Sequence, residues 1–259
     1  MTLDGLSGQT IDRWLENNPH FALLGKTIIC YVIAKKEELS SNNYSSYEDG
    51  NWYSFLWKRK IDPHKLSDLE KNINKMSFVT WNYDRSLEQF LFGRCRKEWT
   101  LETAESIAEV VSQIEIVHLH GEIDLLPWQE KNINIVKAKY GEKSDWGISK
   151  DRSKNIRIVN EANFDDLNYL KARKIIEKSN NAYFIGCGFH KENIEKLKID
   201  NSNDIQFAAT FLDVDITKYK SFKGGRNIFK KPFHEHGTVN NDASKKDNVI
   251  ANFLREVEI

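Results

Sequence analysis

The first quarter of the chain carries a pattern of apolar and polar positions that predicts helices. Apolar residues recur at helical intervals over residues 10–15 and 21–38. A Trp- and Phe-rich stretch at 52–57 and a polar segment at 64–74 predict two more helices, which follow an exposed polar loop. The N-terminal part of the chain, residues 10–75, is therefore predicted to be helical.

In the rest of the chain, β-prone apolar runs alternate with helical segments. The predicted strands lie at 76–81, 114–119, 156–159, 182–185 and 205–212. The predicted helices lie at 84–92, 101–111, 164–179, 191–199 and 246–257. Because strands that alternate with helices usually pair in a mostly parallel sheet, residues 76–259 are predicted to form a Rossmann-like core of about five strands.

One segment, residues 127–155, departs from this alternation. It is rich in Lys, Asp, Ser and Gly and has only scattered apolar residues, which is typical of a lid or a flexible insertion. With this insertion set aside, the pattern predicts a single helix-rich, three-layer α/β domain over residues 1–259.

Composition narrows the range of partners. The chain has 38 Lys plus Arg and 38 Asp plus Glu, so no excess charge favours a nucleic acid or an acidic membrane surface. The basic patch at 223–231 is too small to change that conclusion. The longest apolar run is too short to span a membrane, and the N-terminus lacks the pattern of a secretory signal. We therefore expect a cytoplasmic protein that binds a small neutral or anionic ligand.

The three cysteines, Cys30, Cys95 and Cys187, are isolated from one another and form no C-x-x-C pair. An odd number of scattered cysteines argues against a disulfide framework and against a structural zinc site. We expect them to be buried free thiols.

Two polar clusters stand where predicted strands end. The first is Thr80-Trp81-Asn82-Tyr83-Asp84, and the second is His118-Leu119-His120-Gly121. The carboxyl ends of parallel strands form the ligand crevice of an open α/β sheet. Asn82, Asp84 and His120 are therefore expected to face a common substrate.

Asn82 and Asp84 admit two interpretations. The free backbone N–H groups of a strand-to-helix turn and the positive end of the helix favour an anionic or polyhydroxy ligand. Asn or Asp at this position is also the ordinary N-cap of a helix, and the sequence alone leaves both roles open.

The two histidines of the second cluster are candidate general bases near neutral pH. His120 is the stronger candidate, because the adjacent Gly121 leaves room for the close approach of a ligand. A His-x-His pair can also bind a metal ion. No Asp or Glu cluster at ligand spacing accompanies this pair in the sequence, so we expect no metal.

A glycine turn, Gly186-Cys187-Gly188, follows the predicted strand at 182–185. It partly meets the dinucleotide fingerprint G-x-G-x-x-G, although Lys191 stands at the third glycine position. With Asp213 as a ribose-binding acid, an NAD(P) oxidoreductase is one interpretation. The other is a glycine turn that lets helix and strand pack closely.

Together these segments resemble the sirtuin-like proteins, and more closely the prokaryotic branch that degrades NAD in defence against phage than the protein deacetylases. Thr80, Asn82 and Asp84 match the T-x-N-x-D motif of that family, and the segment ending in His120-Gly121 resembles its x-L-H-G segment. The resemblance implies that Asn82 and Asp84 contact the nicotinamide ribose and the attacking nucleophile. It also implies that His120 is the catalytic histidine.

The same resemblance implies further NAD contacts. Thr80, Trp81 and Gly121 fall within the two motifs, and Trp81 replaces the usual Gln or Phe without removing a reacting group. The stretch that contains Gly186, Gly188 and Phe189 resembles the ribose-side loop that follows a later strand.

The chain departs from the family in two respects. The family normally begins with a strand and a G-A-G-x-S loop that cradles the pyrophosphate, and nothing before Thr10 matches them. The chain thus looks like a member without its first strand and phosphate loop. Deacetylases also carry a four-cysteine zinc module, which three scattered cysteines cannot build.

These comparisons of motifs predict an NAD⁺ hydrolase that releases nicotinamide, uses NAD as its substrate and needs no metal. The main alternative is a catalytically incomplete, sirtuin-like nucleotide-binding or oligomerisation module. Such a module would work as a homo-oligomer or beside a complete sirtuin-like partner.

Overall fold

The computed structural model describes residues 11–40, 52–58, 65–130, 135–163, 165–186, 191–198, 205–212 and 234–238. The chain divides into two compact units. The first unit comprises Met1–Ser46 and Pro63–Asn168, and the second comprises Tyr47–Asp62 and Tyr169–Ile259. A single domain over residues 1–259 stays a prediction beside this division.

The elements follow the chain in a helix-rich α/β order. The helices are α1 (Ile11–Asn17), α2 (Ala22–Ser40), α3 (Trp52–Leu56), α4 (Leu66–Asn72), α5 (Ser86–Glu98), α6 (Ala104–Ser112), α7 (Trp146–Arg152), α8 (Leu167–Lys178) and α9 (Lys191–Leu197). Short 3₁₀ helices lie at Pro19–Phe21, Ile73–Lys75 and Val159–Glu161. The strands are β1 (Ser77–Thr80), β2 (Glu115–His118), β3 (Asn181–Phe184), β4 (Gln206–Leu212) and β5 (His234–Thr238).

Local sequence signals explain the helices of the first unit. The Thr103 hydroxyl caps α6 by accepting the Ser106 N–H at 3.1 Å. The buried residues Ile107, Val110 and Val111 of α6 recur at three- and four-residue spacing, so one face of the helix enters the core. Burial of each such side chain contributes about 1.5–3 kcal/mol.

The close packing of α1 on α2 depends on a glycine. A Cβ at Gly25 would lie 2.5 Å from a methyl carbon of Leu15, which is itself fully buried. Further along α2, the Tyr31 ring lies 6.2 Å from the Trp146 ring of α7. The long helix α2 therefore packs against both of these short helices.

Parallel pairing of β1 with β2 sets the frame for the two polar clusters. The register pairs Ser77 with Glu115 and Thr80 with His118. Beyond the last pair, the Leu119 N–H donates to the Thr80 carbonyl at 2.8 Å. The turns that follow the two strands therefore leave the sheet side by side.

The second unit has its own parallel sheet, in the order β3-β4-β5. Asn181 pairs with Gln206, and Ala208 pairs with His234. Arg173 of α8 donates two hydrogen bonds to the Lys196 carbonyl of α9, at 3.1 and 2.7 Å. This carbonyl belongs to the last turn of α9, so a cation satisfies a helix C-terminus there.

The structure confirms a helix-rich α/β fold with parallel strand pairing. The predicted strand at 156–159 is wrong: Ile156 makes one isolated antiparallel bridge with Gly121, and a 3₁₀ helix follows. Within the described residues, one helix and one strand were missed, namely α7 inside the predicted insertion and β5. Among the described residues, no helix combines the length and apolar character that crossing a membrane requires.

Some predictions fall outside the described residues. They concern the residues before Thr10, the ribose-side residues Gly188 and Phe189, Asp213, and the helix at 246–257. These stay predictions.

Candidate active site

The first polar cluster forms a turn between β1 and α5. Its backbone is held locally, because the Asn82 N–H donates to the Thr80 hydroxyl at 3.0 Å. The Asn82 side chain is exposed. The turn thus presents a carboxamide to solvent at the carboxyl end of a parallel strand, as the sequence predicts.

Trp81 in the same turn has an unusual feature. Its indole Nε1 is buried and has no hydrogen-bond partner within the part of the chain that the structure describes. A buried N–H without an acceptor is costly, so it is a natural donor for a ligand or a water molecule.

His118 ends β2 and is buried. Its Nδ1 lies 2.8 Å from the Asn82 carbonyl oxygen, and its Nε2 lies 2.7 Å from Oε1 of Glu88 in α5. Oε2 of Glu122 lies 4.0 Å from the same Nε2. The imidazole therefore bridges the turn after β1 to the first turns of α5.

The electrostatic surroundings of His118 act in opposite directions. Burial lowers the pKa of His118, but the Glu88 carboxylate, the Glu122 carboxylate and the Asn82 carbonyl raise it. The net result is a rise in the pKa of His118 from 6.5 to about 9. The imidazolium form is consequently favoured at neutral pH.

The structure brings Glu88, His118 and Glu122 into one buried cluster. One ligand atom from each residue lies within 4.8 Å of the others. Imidazole and carboxylate are ligand types that divalent metals accept. The sequence expectation that no acidic cluster accompanies the histidine pair is therefore wrong, because folding brings Glu88 against His118 from 30 residues away.

His120, the predicted general base, lies in the turn after β2. It is 3% exposed, and its ring centroid lies 6.2 Å from that of Tyr83. The His120 carbonyl accepts the Arg157 N–H at 2.8 Å, and the Tyr83 hydroxyl donates to the Arg157 carbonyl at 2.9 Å. Residues of both polar clusters thus converge on Arg157.

Gly121 is needed for packing. Its φ is +85°, and a Cβ at this position would lie 2.1 Å from the Asn155 carbonyl oxygen. The space on this side of the glycine is filled by backbone, whereas the sequence suggested room for a ligand. A ligand contact at Gly121 stays a prediction.

Asp84 precedes the N-cap residue Arg85 of α5 and binds the first residue of that helix. Its Oδ1 accepts the Ser86 N–H at 3.0 Å and also accepts the Ser86 hydroxyl. The ordinary N-cap interpretation is wrong for Asp84, because Arg85 is the N-cap of α5 and makes no side-chain capping hydrogen bond. A ribose or carboxamide contact by Asp84 stays a prediction.

Arg85, which the sequence analysis did not single out, is fully buried directly after the first cluster. It binds Glu37 of α2 through both carboxylate oxygens, at 3.2 and 2.5 Å. It also donates to the carbonyls of Ala138 and Leu125, at 2.7 and 3.3 Å. A bidentate ion pair with additional carbonyl acceptors is a rigid anchor for the turn.

A second buried ion pair, Asp124 with Arg152 of α7, lies in the same unit. Burial raises the pKa of Asp124, Arg152 and Arg85 oppose that rise, and the pKa settles at about 6. Near this pair, burial and the charge of Asp124 raise the pKa of the Cys30 thiol to about 12. Cys30 and Cys95 are buried free thiols as predicted, and Cys187 lies outside the described residues.

Gly186, at the carboxyl end of β3, belongs to the second unit. Its φ is +62°, and in the described part of the chain no atom lies within 4 Å of where its Cβ would be. The residue is exposed. This open surrounding is compatible with close approach of a ligand to the backbone.

The two polar clusters could be found from the sequence, but the residues that support them could not. Glu88, Glu122 and Arg85 carry no local pattern that sets them apart from ordinary helix and turn residues. The only available signal is that a charged residue occupies a position within an apolar helical face, as Glu88 does in α5.

Comparison with known families gives one match. The family model described as SIR2-like domain matches residues 76–206, which is about half of the chain and includes both polar clusters. No curated protein and no solved structure matches the chain.

Proposed function

Since the chain belongs to the SIR2-like domain family, we propose that it is an NAD⁺ hydrolase that cleaves the nicotinamide N-glycosidic bond. The observation that carries this proposal is the register of β1 with β2. Pairing of Thr80 with His118 brings the T-x-N-x-D turn and the H-G turn side by side within the matched segment. Residues with two complementary roles then stand at one edge of a sheet.

In the proposed reaction, NAD⁺ and water give ADP-ribose, nicotinamide and a proton. The bond between the ribose C1′ and the pyridinium nitrogen breaks through an oxocarbenium-like state, and the water oxygen bonds to C1′. Asn82 positions the water or a ribose hydroxyl, and Asp84 holds the ribose or the carboxamide. His120 takes the proton as general base, a role worth about a hundred- to ten-thousandfold in rate.

Two structural features support the fit of a nicotinamide nucleotide. The exposed Asn82 carboxamide and the Trp81 indole N–H, which has no acceptor among the described residues, supply polar groups in one turn. The open side of Gly186 is compatible with a ligand contact in the second unit. Thr80 and Gly121, and with them Gly188 and Phe189, complete the proposed NAD-binding set.

The proposal also covers the biological role, the location, the fold and the assembly of the protein. We assign the chain to the prokaryotic branch that consumes NAD in anti-phage defence, acting in the cytoplasm and without a metal. We also propose a Rossmann-like, three-layer arrangement with about five strands, and assembly as a homo-oligomer or with a complete sirtuin-like partner.

The test is nicotinamide release from NAD⁺ by the purified full chain. We expect turnover in the wild type, and a loss of at least a hundredfold in Asn82→Ala and His120→Ala. Asn17→Ala and His20→Ala are matched controls, because both residues are exposed and lie in the N-terminal helical region. Circular dichroism should show that all four variants stay folded.

The outcome separates the enzyme from its alternative. Turnover that survives in His120→Ala would contradict the assigned base. No turnover at any protein concentration, combined with calorimetric NAD binding, would instead support a catalytically incomplete nucleotide-binding module.

A further inference from the structure

His118 is the histidine that the catalytic proposal does not use, yet both of its ring nitrogens are engaged. Nδ1 faces the Asn82 carbonyl oxygen at 2.8 Å, and a carbonyl can only accept. Nε2 faces the Glu88 carboxylate at 2.7 Å. A neutral imidazole has a single N–H, so donating to both acceptors requires a second ring proton. On deprotonation the neutral ring keeps its proton on Nε2, because the Glu88 carboxylate is the stronger acceptor, and Asn82 loses its donor.

We propose that His118 is a positioning residue, held as an imidazolium whose two N–H groups tie the Asn82 backbone to Glu88 of α5. We call the arrangement Asn82–His118–Glu88 the His118 clamp. The clamp sets the direction in which the Asn82 carboxamide projects from the turn. The proposal rests on the proposed function only for the catalytic role of Asn82.

The contacts around the clamp leave the turn little freedom. The Asn82 N–H is bound to the Thr80 hydroxyl and the Asn82 carbonyl to His118, so both sides of this residue are fixed to the sheet. On the other side, the His118 carbonyl accepts a hydrogen bond from the Asn168 side chain at 2.8 Å. Only the side chain of Asn82 is left to reach a substrate.

Two carboxylates keep the ring charged. In the described residues, the charged groups that face His118 are Glu88 of α5 and Glu122 of the turn after β2. Glu88 contributes charge and a hydrogen bond, and Glu122 at 4.0 Å contributes charge. Their combined field outweighs the burial that favours a neutral imidazole.

A proton accounts for this cluster better than a metal ion. Two ligands of a tetrahedral zinc ion lie about 3.3 Å apart, since each is about 2.0 Å from the metal. His118 Nε2 and Glu88 Oε1 are 2.7 Å apart, which is a charge-assisted hydrogen-bond distance. Glu122 stays at ion-pair distance from the ring.

The direct test is nuclear magnetic resonance of the full chain with labelled histidine rings. At pH 7.5 we expect both ring nitrogens of His118 to be protonated, with a titration midpoint near pH 9. The Asn82 carbonyl carbon should shift with the same midpoint, because it loses a hydrogen-bond donor at that pH. A neutral ring at pH 7.5, or an Asn82 signal that ignores the titration, overturns the proposal.

Three glutamate variants test how much each carboxylate raises the titration midpoint of His118. Glu88→Gln should lower the His118 midpoint by at least one pH unit, and Glu122→Gln should lower it less, in keeping with their separations of 2.7 and 4.0 Å. Glu115→Gln, at an exposed position of β2, should leave it unchanged. An equal response to all three changes would contradict the assignment.

Kinetics and metal analysis complete the test. We expect His118→Gln to lower kcat about ten- to a hundredfold, with KM within about threefold, because the reacting groups are present but misplaced. Elemental analysis that finds one metal ion per chain would overturn the proposal. If the wild type hydrolyses no NAD⁺, the proposed function fails, and the ring titration still decides whether His118 clamps Asn82.

Discussion

The carboxyl ends of β2 and β3 look alike in sequence and differ in structure. Each strand runs into a glycine with positive φ, Gly121 after β2 and Gly186 after β3. Backbone fills the space beside Gly121, at 2.1 Å from a Cβ position, whereas no described atom lies within 4 Å of that position at Gly186. The first glycine allows two chain segments to touch, and the second leaves space.

The difference extends to the polar groups around each turn. At the end of β2, the residues His118, Glu122 and Asp124 are buried. His118 pairs with Glu88 of α5 and lies 4.0 Å from Glu122, and Asp124 pairs with Arg152 of α7. At the end of β3, Gly186 is exposed. A glycine after a parallel strand therefore does not by itself mark a ligand contact, and the surrounding atoms decide its role.

The largest loss of stability that we expect at either turn is from Gly121→Ala. A left-handed backbone costs alanine about 1–2 kcal/mol, and displacement of the Asn155 carbonyl adds about 1–3 kcal/mol. Urea denaturation should therefore show a loss of about 3 kcal/mol in the free energy of unfolding. A loss below about 1 kcal/mol would mean that the contact relaxes and that the β2 end is less rigid than described.

The β2 end should also respond to pH. The folded-state pKa of His118 is about 9, above the ordinary 6.5, so its stabilisation is complete below pH 6.5 and is lost as the pH rises through 9. This rise corresponds to about 3 kcal/mol. Denaturation of the wild type between pH 6.5 and 9 should show this loss, and His118→Gln should remove most of it. An unchanged slope in that variant would assign the titration to another group.

The smallest effect on stability should come from Gly186→Ala. This variant is the matched counterpart of Gly121→Ala at the end of the other strand. Among the described residues no atom lies within 4 Å of the Cβ position, so the left-handed backbone is the main term against alanine and the loss of stability should be about 1 kcal/mol. If a ligand approaches Gly186 on this side, KM for NAD⁺ should also rise in Gly186→Ala, although the loss of stability stays small. A destabilisation equal to that of Gly121→Ala would erase the distinction between the two turns.

Sequence patterns identified the elements that have strong local signals. The capped, amphipathic α6 and the short strands that precede both polar clusters fall within a few residues of the predicted bounds. The short polar α7 and the sequence His-Glu-His-Gly-Thr of β5 carry no comparable periodicity. Their structure depends on neighbours that pattern analysis does not include.

The candidate site was predictable in the same uneven way. The positions of Asn82 and His120 after β1 and β2 were predicted, because each polar motif directly follows an apolar run. The support of the site was not found, because His118 meets Glu88 across 30 residues and Asn82 across 36. Such contacts depend on the tertiary structure, so local sequence patterns cannot predict them.

The partners of Arg85 have a consequence for how the motif turn acquires its shape. Glu37 precedes Arg85 by 48 residues, and the Ala138 carbonyl follows it by 53. Contacts at such separations form after much of the chain has been brought together, because long loops must close first. A fragment cut after α6 would keep the Thr80–Asp84 sequence and lose the carbonyl acceptors that hold Arg85. The shape of the turn thus depends on partners that are distant in sequence, and transplanting it to another protein would require moving these partners as well.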